Sequence, residues 1–135
     1  MRANLLVCTF LIAAAHAQCP VNTILIKGHV ENPAPDSRVR VQLMYPKQQS
    51  GESAEATLDD ESFRLPVEFL TQSTRPFLRN VRPKCDRKPS AVVITLLTGD
   101  NEKNQITLAF PRDFTQSDAS AYTPQSEILL KDPAD

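Results

Sequence analysis

Apolar and polar residues alternate along most of this chain with a period of two. In segment 23–31, Ile24, Ile26, Gly28 and Val30 share one face, while Lys27, His29 and Glu31 share the other. That pattern predicts a half-buried strand. Segment 38–45 alternates more cleanly, with Val39, Val41, Leu43 and Tyr45 inward and Arg38, Arg40, Gln42 and Met44 outward. Segment 62–69 places Phe63, Leu65, Val67 and Phe69 inward. Pro66 within it cannot donate to a ladder, which predicts an edge strand or a bulge. Segment 90–98 is apolar on both sides, through Val92, Val93, Ile94, Leu96 and Leu97, as expected of a strand in the middle of a sheet. Segment 105–110 turns Ile106, Leu108 and Phe110 inward, and 126–131 forms the last strand. Short strands are expected at 56–58 and 77–81.

The punctuation between these segments is polar. Residues 32–37 read as a turn, Asp59, Asp60 and Glu61 as an acidic turn, and 98–101 as a hairpin-like turn. The polar segment 46–55 predicts a mobile loop. Residues 111–124 predict a long connection with room for one helical turn within 113–121, and 132–135 a frayed tail. No stretch sustains a 3.6-residue period over three turns. The expectation is an all-β chain: an antiparallel β-sandwich of about seven short strands.

The first residues change the setting. Arg2 precedes an apolar run from Leu5 to Ile12, followed by Ala15-His16-Ala17, the order of a secretory signal peptide with an A-x-A cleavage site. Residues 1–17 are expected to be removed, leaving one domain, 18–135, outside the cell. The run is too short for a membrane span, and no second one follows it. Cys8 leaves with the leader. Cys19 and Cys85 remain, and in an oxidising compartment they are expected to pair.

Composition narrows the function. The 15 Lys and Arg against 16 Asp and Glu give a net charge of −1, with no basic run long enough to argue for nucleic acid. The absence of Trp removes the usual platform for a sugar. With 11 prolines and 3 glycines, the loops should be stiff rather than glycine-flexible.

The arrangement Gly28-His29-Val30, then Pro33-Ala34-Pro35, then Val39-Arg40-Val41-Gln42-Leu43 resembles the transthyretin-like (prealbumin-like) sandwich family. The hairpin from Thr57 through Asp59 to Phe63 and Leu65 continues the likeness, although the family's glycine is missing. Lys84-Cys85-Asp86 and Ala109-Phe110-Pro111-Arg112-Asp113-Phe114 are similar to the later part of secreted transthyretin-like proteins. The resemblance implies a transthyretin-like or immunoglobulin-like sandwich. The chain also looks like the small secreted proteins of filamentous fungi, many of which are candidate effectors acting on a host.

Candidate chemistry is sparse. Transthyretin-related hydrolases use several histidines and a C-terminal Tyr-Arg-Gly-Ser. Here His29 matches the first histidine of that set, and the rest is missing. Cleavage after Ala15 would expose His16 as a copper-chelating N-terminus, but cleavage after Ala17 removes it. The turn carboxylates Asp59, Asp60 and Glu61 match no calcium loop. Serine hydrolysis needs a positioned base, and His29 is the only histidine of the mature chain. No cofactor or metal is expected. One feature suggests recognition: Arg79, Arg82, Lys84, Arg87 and Lys88 concentrate positive charge around Cys85, suited to an acidic partner or a phosphate-bearing surface, with a protein partner expected. The sequence therefore predicts a secreted, non-enzymatic binding protein. A copper-binding protein or a small transthyretin-related hydrolase is the alternative.

Overall fold

The computed structural model describes residues 19–73 and 84–133. The chain divides into two compact units, one within Met1–Val21 and Leu70–Arg87, the other within Asn22–Phe69 and Lys88–Asp135.

The larger unit carries the sheets. Nine strands run in chain order: β1 (Val21–Glu31), β2 (Ser37–Tyr45), β3 (Gln49–Thr57), β4 (Ser62–Leu70), β5 (Ala91–Thr98), β6 (Asn101–Ala109), β7 (Phe114–Asp118), β8 (Ala121–Pro124) and β9 (Ile128–Lys131). Strands β3-β2-β5-β6 form one sheet, antiparallel throughout. The other sheet has the order β4-β1-β8-β7, with β9 also on β1. Together with the Cys19–Cys85 disulfide, this is the expected all-β, two-sheet class.

Alternation explains the packing. Ile24, Ile26 and Val30 of β1 join Val39, Val41 and Leu43 of β2, Phe63, Leu65, Val67 and Phe69 of β4, and Val92, Ile94 and Leu96 of β5 in one buried cluster. Residues from both sheets thus share one apolar interior. Phe110 closes part of it, its ring 6.0 Å from Phe69, 5.3 Å from Phe114 and 4.9 Å from Tyr122. β5 is central in its sheet, as its two-sided apolar sequence requires. β4 lies at the end of its sheet, where the missing N–H of Pro66 costs no ladder bond.

Four expectations need correction. Segment 46–55 is not a mobile loop: a 3-10 turn (Pro46–Gln48) leads into the edge strand β3. The inward positions of β3 are small. Ala54 and Ala56 pack partly buried on the core, and a Cβ on Gly51 would fall 2.1 Å from Tyr45 Cε1. Residues 113–121 hold no helical turn. They form the β7–β8 hairpin, whose pairs run from Phe114↔Pro124 to Asp118↔Ala121. The tail is not frayed at Asp132, which is buried and donates its N–H to Glu31 O at 3.4 Å. Finally, the sheets are not purely antiparallel, because β1 pairs in parallel with both β8 and β9. The short strand expected at 77–81 lies outside the described residues.

The described residues of the smaller unit are linked by hydrogen bonds and by one disulfide. Cys19 and Cys85 are bonded across 66 residues of sequence. Thr71 Oγ1 donates to Pro20 O at 3.1 Å, and the Arg87 N–H donates to Thr71 O at 2.8 Å.

Candidate functional site

The parallel partners of β1 create the most distinctive feature of the larger unit. Ile24 pairs with Tyr122, and Gly28 pairs with Ile128. Along β1 that is a step of four residues. Along the partner chain it is a step of six. Two surplus residues must leave the line of the ladder, as in a bulge, and no registered pair covers residues 25–27 on this edge. A groove of about 520 Å³ opens at the interruption. Its lining includes Lys27 and His29 from β1, Ser62 from β4, and Thr123, Ser126 and Glu127 from the chain around the surplus. Gly28, Phe63 and Pro124 add apolar surface.

The far wall is anchored. The Gln125 N–H donates to Asp113 O at 2.9 Å, and its Nε2 donates to Arg112 O at 3.2 Å. At the rim, His29 Nε2 lies 3.0 Å from Glu127 Oε1, with the two side chains 55% and 64% exposed. This contact is a salt bridge only when the imidazole is protonated. Ser62 lines the same groove, yet no hydrogen bond joins its hydroxyl to His29, so the nucleophile–base contact of a serine hydrolase is not formed. Gly28 is a steric necessity: a Cβ there would fall 2.2 Å from Ile128 O and 2.9 Å from Ile128 C. Only glycine lets β9 approach this closely.

The cationic segment belongs to the sequence around Cys85. Arg79 and Arg82 lie outside the described residues. Lys84 is exposed, and Arg87 donates from Nη1 to Leu70 O at 3.2 Å. Among the described residues of this segment, the Ser73 N–H donates to Lys84 O at 2.9 Å and the Ser73 hydroxyl bonds Asp86 Oδ1. Lys88, in the larger unit, is exposed.

Sequence reasoning singled out His29 and missed its companions. Lys27, Ser62, Thr123, Ser126 and Glu127 come from three separated segments, and no local spacing signals their meeting. Among the described residues, no group of three His, Cys, Asp or Glu side chains is placed to hold a metal ion. The possible N-terminal copper ligand His16 lies outside them. No helix among them is long and apolar enough to cross a membrane. The chain matches no family model, no curated protein and no solved structure.

Proposed function

We propose that this is a secreted, extracellular protein that acts without catalysis, by binding an acidic protein partner, and that it serves as an effector on a host or other extracellular protein. The observation that carries this reading is the disulfide-anchored cationic segment. Cys85 is tied to Cys19, and the carbonyl of neighbouring Lys84 is tied to Ser73. A charged segment held on a fixed backbone loses less conformational freedom on binding than a floppy one. Charge of one sign also steers association over distances near the Debye length, about 8 Å at physiological salt.

The disulfide and the leader-like N-terminus support an extracellular setting. The two-sheet fold is compatible with the transthyretin-like kinship proposed from the first two strands. The test is capture from the extracellular milieu with the native secreted protein and with a Lys84→Glu, Lys88→Glu double variant. The expected partner is acidic, is retained at low salt, and is lost both at high salt and in the variant. Capture that ignores both the salt and the substitutions would overturn the reading.

A further inference from the structure

The groove beside β1 gathers polar groups that the fold itself does not use. The arginines of the neighbouring sheet are paired: Arg38 with Glu55 at 3.0 Å and Arg40 with Glu102 at 2.9 Å. Lys27 differs. It is exposed and lines the groove, and its ammonium has no ion-pair or hydrogen-bond partner among the described residues. The hydroxyls of Ser62, Thr123 and Ser126 line the same space, also without a hydrogen-bond partner among the described residues.

The ladder adds a main-chain contribution. Odd-numbered residues of β1 turn their main-chain groups towards β8 and β9: the Thr23 N–H donates to Ser120 O, and Glu31 O accepts from Asp132. Even-numbered residues turn the other way, as the Val30 N–H does towards Glu61 O. Lys27 is odd, and it lies where the registered pairing is interrupted. Its N–H therefore points towards the side of residues 123–127, which form one wall of the groove.

We infer that this groove binds the anionic end, a carboxylate or a phosphoryl group, of a small polar ligand. Lys27 supplies the charge and the three hydroxyls supply neutral donors. Every hydrogen bond to the anion is charge-assisted, but only the Lys27 ammonium adds the attraction of an opposite charge, so Lys27 dominates the affinity. The volume falls in the range of small-molecule sites. Glu127, held by His29, gives the rim one acceptor. The ligand that fits therefore carries a donor, a hydroxyl or an amine, beside its anionic group. This site is independent of the cationic segment around Cys85.

The test is a titration of the isotope-labelled secreted protein with inorganic phosphate, acetate and lactate, followed by amide NMR. The expected result is saturable shifts confined to residues 25–29, 62–63 and 123–127. Lactate should bind more tightly than acetate, because it adds a hydroxyl. Saturation by phosphate assigns the phosphoryl form, and saturation by a carboxylate assigns the other. Lys27→Met and Lys27→Gln should each weaken binding at least about ten-fold, with the unliganded spectrum otherwise preserved. Lys47→Met, on the turn before β3, should leave binding unchanged. Ser62→Ala should weaken it about three- to ten-fold, the scale of one hydroxyl hydrogen bond to an anion in an open groove. No saturable shift with any of the three probes up to about 20 mM, an affinity weaker than about 2.3 kcal/mol, would overturn the assignment. Equal shifts in the Lys27 variants would overturn it as well.

Discussion

Replacing Gly28 by Ala should damage this protein far more than one methyl group suggests. The new Cβ would stand 2.2 Å from Ile128 O and 2.8 Å from Ile128 Cβ. The first of these is a main-chain atom, so no rotamer change relieves the contact. Either β1 distorts or β9 moves away. Forcing a methyl into a packed site costs about 1–3 kcal/mol. If β9 instead detaches, Ile128 and Leu130, now 4% and 0% exposed, lose their burial at about 2 kcal/mol each. Against this stands the Gly→Ala effect on the unfolded chain, about 0.4–1 kcal/mol in favour of the variant. The net expectation is a loss of about 2–3 kcal/mol, or roughly 8–15 °C in Tm for a domain of this size. Urea unfolding measures the loss, and amide exchange locates it, with protection reduced at Ile128–Lys131. A variant as stable as the parent, with β9 protection intact, would show that the close approach of β9 to Gly28 does not exist.

Two further outcomes follow from the backbone and the staple. Replacing Cys19 and Cys85 together by Ser frees a 66-residue separation; chain entropy predicts a loss of about 4 kcal/mol, read as a fall in urea midpoint at unchanged strand content by circular dichroism. Glu61 is exposed and sits at φ 71°, a left-handed conformation that costs a residue with a side chain about 1–2 kcal/mol. Glu61→Gly should therefore raise stability by about 0.5–1 kcal/mol after the entropic cost of glycine, and a lower unfolding midpoint would refute that account.

The strands that were legible in the sequence are those with large apolar residues on one face. β1, β2 and β4 alternate with Ile, Val, Leu and Phe, and every inward side chain read there is buried. β3 was illegible because its inward positions are Gly51, Ala54 and Ala56. Such residues satisfy a sheet edge by being small, and they carry almost no periodic apolar signal. β7 was illegible for a related reason: only Phe114 is buried, and the other four residues are exposed. The acidic turn at 59–61 was readable, but its geometry was not. Asp60 and Glu61 both take positive φ where glycine is the usual occupant. The disulfide was readable because only two cysteines follow Cys8, which the sequence pattern assigns to an expected leader.

The groove was hidden for a topological reason. Period-two alternation reports which face of a strand is buried, and says nothing of which strand lies alongside. A pattern-based reading treats 111–131 as one connection and one strand. In the structure the same stretch delivers two strands in succession to one edge of β1, with two residues too many between them. A purely antiparallel meander brings sequence neighbours together, and its clefts are flanked by adjacent turns. A parallel return to β1 instead faces residues 25–27 with residues 123–127, almost a hundred positions later. The same step forces two features. β9 must pack tightly to bury Ile128 and Leu130, which requires Gly28. The surplus ahead of it must swing out, which opens the space beside Lys27. Tight packing and open groove are thus two consequences of one mismatch in register. A deletion of two residues within 125–127 should consequently close the groove and let the ladder on β1 run unbroken.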